Sequence, residues 1–341
     1  MNRHKNLGLD RVFPVAIIAL LAVVLVAVIP PDRAVASGAA GAPGVIPQDT
    51  RIVVNIPAFR MDLFDNGKLV KSYKIGIGYP EFPLPTGLRS ADTIIISPTW
   101  TPPNEPWVES PTSKVKAGEK IAAGDKLNPL GPIKIPIGLP SLIHGGKAPG
   151  SIGGFASHGC VGLTNREVED FAARLAQISG TNISAQQIAQ DEKNKTETQP
   201  VKLSKAVAVE LRYETITVEG GKLHIYRDVY ARGTDTEQNL RDVLQVYGVT
   251  EEMLSKTERA QVMTALTQME RDAVGKPVAK PAGDASQPKK STTRHVTRTI
   301  SGQKEVAVQV AALKGKGYPA PVDLDSGGAS KSGSSHARRR R

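Results

Sequence analysis

The sequence predicts a β-rich α/β fold. Mixed β-sheets carry a helix after a cysteine-bearing loop, and a small α+β C-terminal element and a disordered basic tail follow. Three observations point there. Ile52, Val54 and Ile56 alternate with other residues and so share one strand face. Asp65-Asn66-Gly67, set between apolar runs, is a hairpin turn. Thr164-Asn165-Arg166-Glu167 is patterned as a capping box, with Val168, Phe171, Ala172, Leu175 and Ala176 following at helical spacing.

The elements can be justified in order. Arg3, His4, Lys5 and Arg11 precede the apolar run from Val12 to Ile29, and Ala34-Val35-Ala36 follows. A basic start, an apolar middle and a small-residue site make an export signal over 1–36, cleaved after Ala36 or kept as a signal anchor. Either outcome places the rest of the chain outside the cytoplasm. Residues 37–50 are rich in Gly, Ala and Pro and read as a linker.

The catalytic domain is expected over 51–180. Met61 and Leu63 lead into the hairpin, and Leu69 to Ile77 returns from it. Ile94-Ile95-Ile96 and Ile133 to Ile137 are further short strands. Trp100 and Trp107 lie on one Pro-rich loop and read as core anchors rather than a substrate wall. The polar stretch 181–203 reads as a second linker. Residues 204–272 are expected to form the small α+β element. Val207, Val209, Leu211 and Tyr213 alternate, Glu219-Gly220-Gly221-Lys222 turns, and Leu240 to Tyr247 and Val262 to Met269 show helical spacing. His224 reads as a surface residue. From 273 to 341 lysine, proline, serine, threonine and glycine dominate, which is the composition of a disordered tail. Its apolar patch, Val306 to Leu313, reads as a transient helix. Removing the chain from Gly275 onward is expected to leave catalysis nearly unchanged.

Lys and Arg number 44 against 33 Asp and Glu, a net charge of +11. With no nucleic-acid module beside it, the excess suits anionic envelope polymers or a solvated tail better than nucleic acid. Aromatics are only 4% of residues, which fits a chain whose tail packs no core. No metal-ligand spacing, dinucleotide fingerprint or phosphate-cradling loop is present, so neither metal nor cofactor is expected.

Cys160 is the only cysteine of 341 residues. It sits in Ser157-His158-Gly159-Cys160-Val161, with a second histidine upstream in Ile143-His144-Gly145-Gly146. An exported cysteine with no partner is unusual, since exported thiols are mostly paired. A thiol with histidines beside it has what nucleophilic catalysis needs, a base or a cation to populate the thiolate. Gly159 allows positive φ, and the backbone N–H groups of Gly159 and Cys160 are candidate oxyanion donors. Either His144 or His158 could act as the base, and the thiol–imidazole pair is expected to lower the cysteine pKa.

The run from Ile143 through Val161 closely resembles the L,D-transpeptidase catalytic domain (YkuD-type), most nearly the ErfK/YbiS-like envelope enzymes. Arg51 to Ile56, Ile75-Gly76-Ile77-Gly78, Leu84-Pro85-Thr86-Gly87, Pro98 to Pro103 and Asn128-Pro129-Leu130-Gly131 resemble the same family in the same order. The likeness covers roughly 51–176. Two departures stand out. The family pattern has arginine two positions after the cysteine, where this chain has Gly162, and Pro85 precedes Thr86 rather than following it. The first removes a bidentate carboxylate-binding group.

The resemblance implies an exported L,D-transpeptidase acting on peptidoglycan tetrapeptide stems. In that reading Cys160 is the nucleophile and forms a thioester. His144 is general base and proton donor, oriented by the Gly145 backbone carbonyl. Ser157, His158 and Gly159 shape the oxyanion and substrate site. The acyl acceptor is a second stem amine, a lysine of an envelope protein, or water. The last would make the chain an L,D-carboxypeptidase. A catalytically silent wall-binding module is the rival from another class.

Overall fold

Strands β1 (Arg51–Asn55), β2 (Arg60–Asp65) and β3 (Lys68–Lys74) form an antiparallel meander turned by Asn66 and Gly67, both at positive φ. The computed structural model describes residues 44–138, 140–278 and 296–324. The expected signal over 1–36, residues 37–43 of the first linker, and 279–295 and 325–341 of the expected tail lie outside them. Among the described residues no helix is long and apolar enough to cross a membrane.

The chain continues through β4 (Ile77–Gly78), β5 (Gly87–Ile96), β6 (Ile133–Pro136), β7 (Leu142–His144), β8 (Phe155–Ser157) and β9 (Val161–Gly162). Helices α1 (Asn165–Ile178) and α2 (Ala185–Asp191) lead into the long strand β10 (Gln199–Arg212). An eight-stranded mixed sheet runs in the order β3-β2-β1-β10-β5-β6-β7-β9, and β4 and β8 pair separately in parallel.

Strand β10 corrects the expected domain boundary. The stretch 181–203 is no linker: it holds α2 and the first part of a strand lying between β1 and β5 inside the main sheet. Pro200 does not break the strand. It is the second residue of β10, opposite Ile95, a strand-start position where a missing N–H is tolerated. Val207, Val209 and Leu211 alternate as expected, but their buried face belongs to the main core with Ile52, Val54 and Ile94.

Helix α1 starts where the capping box predicted. Thr164 Oγ1 accepts from the Glu167 N–H, and Glu167 reaches back to the Thr164 N–H at 3.1 Å. Val168, Phe171, Ala172, Leu175 and Ala176 are all buried, with Phe171 edge-on to Tyr73 at 5.5 Å. The helix therefore pins the chain directly after Cys160 to the sheet. Thr164→Ala removes the side-chain acceptor for a helix N–H and should lower stability by about 1 kcal/mol, read as a shift in thermal midpoint.

A second layer follows: β11 (Ile216–Glu219), β12 (Lys222–Tyr226), α3 (Glu237–Val246), α4 (Lys256–Met269) and β13 (Glu305–Gln309). The order β11-β12-β13 makes a three-stranded sheet covered by the two helices, with Leu223, Ile225, Leu240, Leu244 and Met269 in its own core. The expected helical patch in the tail is thus strand β13, pairing Val308 with Leu223 and Val306 with Ile225. Of the expected tail, 273–278 and 296–324 are described, and the second of these packs against the rest. Val308, Val310, Leu313 and Tyr318 are buried, and Tyr318 sits edge-on to Phe64 of β2. Composition misled here because alternate apolar residues suffice when a partner strand already waits. Residue His224 lies on the partly exposed face of β12, with Nδ1 at 2.5 Å from Glu305.

Charge ties the two layers together. Arg60 of β2 bonds Asp62 at 2.8 Å and also reaches Glu219 of β11, which takes further bonds from Thr217 and Tyr226 at 2.8 Å each. Every member of this cluster is buried and satisfied by its neighbours, as charges held away from water must be.

Candidate active site

Strands β7 and β9 run parallel, pairing Ile143 with Val161 and His144 with Gly162. Ile143 and Val161 are fully buried in the core. Side chains alternate along a strand, so His144 turns to the opposite face. Cys160 directly precedes β9, in the turn that leads into it. The pairing thus brings two separate segments together, the strand that ends on His144 and the turn that bears Cys160.

His144 is buried and its Nδ1 lies 2.8 Å from the Gly145 carbonyl oxygen. A carbonyl can only accept, so this nitrogen carries the proton. The loop after β7 is clamped from three sides. Gly145 N–H donates to Ile133 O at 3.1 Å, Gly146 N–H to Asn165 Oδ1 at 2.7 Å, and Lys147 N–H to Leu163 O at 3.1 Å.

The cysteine turn is held by Ser157. Its Oγ accepts the Cys160 N–H at 3.0 Å and donates to the Cys160 carbonyl at 2.6 Å. The Cys160 N–H expected as an oxyanion donor is therefore already engaged. Gly159 takes φ +99°, a conformation that an L side chain rarely adopts, and its carbonyl accepts from Ser141 Oγ at 3.0 Å. Its N–H makes no hydrogen bond among the described residues.

His158 lies in an aromatic cluster. Trp107 stacks on it at 4.0 Å and 13°, with Tyr79 and Phe82 edge-on at 5.0 and 4.9 Å. Trp100 stacks in turn on Trp107 at 6.4 Å. The two tryptophans are half-buried and cover the His158 turn rather than anchoring the core, contrary to the expectation for that loop.

The electrostatics differ from a preformed ion pair. Burial, helped by the Lys147 charge, pushes the His144 imidazole down to about 3, against the pull of the Gly145 and Leu130 carbonyls. Burial also raises the Cys160 thiol above its ordinary value, against a backbone hydrogen bond from Leu142 and the charge of Lys147. His158 is held at about 4 by burial and by the charges of Lys147 and Arg298. At neutral pH the resting pair is thus a thiol and a neutral imidazole, which overturns the expected depression of the cysteine pKa.

Several neighbours escaped sequence reasoning. Asn165 was visible only as part of a helix cap, and Ser141 had no motif around it. Trp107 was seen but assigned to the core. The segment 296–304 supplies three further contacts. Arg298 lies over the Tyr79 ring at 5.8 Å, Thr297 Oγ1 donates to Glu81 at 2.6 Å, and Lys304 donates to the Gly153 carbonyl. No local signal could have placed so distant a segment beside the turn.

Comparison with known proteins bears on residues 49–202, which match the family model described as the L,D-transpeptidase catalytic domain, YkuD. No curated protein matches the chain. Among solved structures, the catalytic domain of E. faecium L,D-transpeptidase is 16% identical with a TM-score of 0.31, over 49% of this chain and 98% of that one. An L,D-transpeptidase from Mycobacterium smegmatis is 15% identical with a TM-score of 0.27, over 48% and 58%. L,D-transpeptidase 3 from Mycobacterium tuberculosis is 14% identical with a TM-score of 0.28, over 48% and 60%. The chain spans about half, 49%, of the length of the Ldtfm–avibactam carbamoyl enzyme, to which it is also similar. With the ordered motif segments, the Cys160 turn and the parallel β7–β9 pair all falling inside the matched stretch, residues 49–202 belong to the L,D-transpeptidase catalytic domain family.

Proposed function

We propose that this chain is an exported L,D-transpeptidase acting on peptidoglycan tetrapeptide stems. The observation that carries the reading is the parallel pairing of β7, which ends on His144, with β9, which begins directly after Cys160, inside the stretch that matches this family. Cys160 Sγ attacks the carbonyl of the stem's third residue, and its proton passes to His144 Nε2. The Gly159 N–H faces the developing oxyanion. The tetrahedral intermediate collapses to a thioester, and His144 returns the proton to the departing D-amino acid. An acceptor amine then displaces Cys160, giving a cross-link or an attached envelope protein; water in its place gives trimming. With Nδ1 fixed on Gly145, Nε2 is the nitrogen left for proton exchange, and His158 is left to its aromatic neighbours.

Incubation with a carbapenem followed by intact-protein mass spectrometry tests this reading. A persistent adduct on Cys160 supports it, and a chain that stays unmodified is the silent wall-binding module instead. A muropeptide profile then identifies the acceptor. The depressed imidazole adds a pH expectation. A base held at about 3 is almost wholly deprotonated from about pH 5 upward. The acylation rate should therefore hold as pH falls from about 8 to about 5, where an ordinary histidine of pKa about 6.5 would have lost most of its basic form. A sigmoidal fall centred near the ordinary histidine value would show that His144 titrates normally.

A further inference from the structure

The side chain of Lys147 crosses the strand that follows Cys160. A Cβ built on Gly162 would lie 2.7 Å from Lys147 Cγ, 2.9 Å from Cε and 3.2 Å from Cδ. The lysine stem occupies the space that a side chain at position 162 would take. Gly162 is in register with His144 and lies two residues after Cys160, so by alternation its missing side chain would point to the face that His144 takes. The stem thus runs over the reactive face, anchored by the Lys147 N–H on Leu163 O.

No ion pair or side-chain hydrogen bond of Lys147 is found among the described residues, although it is half-buried. Burial lowers its pKa, and the charge that draws it back up is that of Cys160. The other charged or titratable groups around the turn are His144 on β7, Lys134 on β6, His158 in the turn itself and Arg298 from the 296–304 segment. Both histidines are neutral at working pH, lowered by burial and by the charges of Lys147 itself, Lys134 and Arg298. An idle surface lysine would be free to swing into water. This one lies in the space that Gly162 leaves open.

Resting on the assignment of Cys160 as nucleophile, we propose that Lys147 is the cation that stabilises the Cys160 thiolate, reaching it across the gap left by Gly162. The mechanism needs such a group. A neutral pair must pass a proton from a thiol that burial disfavours as an anion to an imidazole that burial disfavours as a cation. Lys147 offsets the first of these penalties without contributing a proton acceptor. The chemistry it recognises is a monoanion at the Sγ position, so it is a positioning and electrostatic residue for the thiolate.

The test is the rate of Cys160 alkylation by iodoacetamide, an uncharged probe, against pH in the full-length chain. Wild type is compared with Lys147→Met, which keeps the apolar stem, with Lys147→Gln as a second neutral variant, and with Lys147→Arg, which keeps the charge. Folding is checked by circular dichroism. The two neutral variants should show a midpoint displaced to higher pH, with Lys147→Arg close to wild type. Below the midpoint, each pH unit of displacement should slow alkylation by about threefold, because the thiolate fraction falls tenfold while the more basic thiolate recovers part of the loss as a nucleophile. Neutral variants whose profiles superimpose on wild type overturn the proposal. Neutral variants that show the expected displacement, beside a wild type that forms no carbapenem adduct, defeat the transpeptidase reading while leaving the role of Lys147 intact. Coincident profiles in a chain that does form the adduct defeat only the role of Lys147.

Discussion

Cys160→Ser should fold as the wild type does and form no carbapenem adduct, with turnover of muropeptides reduced by on the order of 10³-fold or more. The fold is spared because the thiol is not part of the apolar core and makes no disulfide. The turn around it is built by Ser157 bonding the Cys160 backbone, by Ser141 holding the Gly159 carbonyl and by the β7–β9 pair, none of which uses Sγ. The chemistry fails because a hydroxyl is a much weaker acid than a thiol. His144, held at about 3, is too weak a base to draw a proton from it. Thermal melting of the two proteins beside intact-mass measurement separates the outcomes. Full turnover in the serine variant would place the nucleophile elsewhere.

Ending the chain at residue 295 should unfold the C-terminal sheet and abolish or sharply reduce activity. This reverses the expectation drawn from composition. The truncation removes β13, leaving β12 with an open edge, and strips Val308, Val310, Leu313 and Tyr318 from buried positions. Burying one large apolar side chain contributes roughly 1.5–3 kcal/mol. Their sum is comparable with the roughly 5–15 kcal/mol by which whole domains are stable. The loss reaches the site as well, since the 296–304 segment bonds Glu81 and Gly153 and lays Arg298 over Tyr79, the ring that touches His158. Ending the chain at residue 324 keeps every one of these contacts and is the control. A chain ending at 295 that melts and acylates like that control would show that the packed segment contributes nothing.

What could be read from the residues was short-range. The hairpin at Asn66-Gly67, the capping box at Thr164 and the apolar face of α1 each depend on a few consecutive residues. Local backbone preference and side-chain periodicity are enough to set them. The cysteine turn belongs with these, since Ser157, His158, Gly159 and Cys160 are neighbours along the chain. Sequence also located His144 and Gly145, and the 2.8 Å contact between them is a bond between adjacent residues.

The remainder was decided by pairing between distant segments. The first part of β10 looked like a linker because Pro200 and the lysines around it carry no strand signal, yet β5 presents an open edge to it. Strand β13 hid in a tail-like composition because only Val306 and Val308 need to face β12 and its core. Trp107 found His158, and Lys147 found the space above Gly162, through loops whose course follows from the whole sheet. The neutral state of the thiol and imidazole is of the same kind. Charge in a site depends on how much water the surrounding chain excludes, and that burial exists only once the distant segments have closed over it.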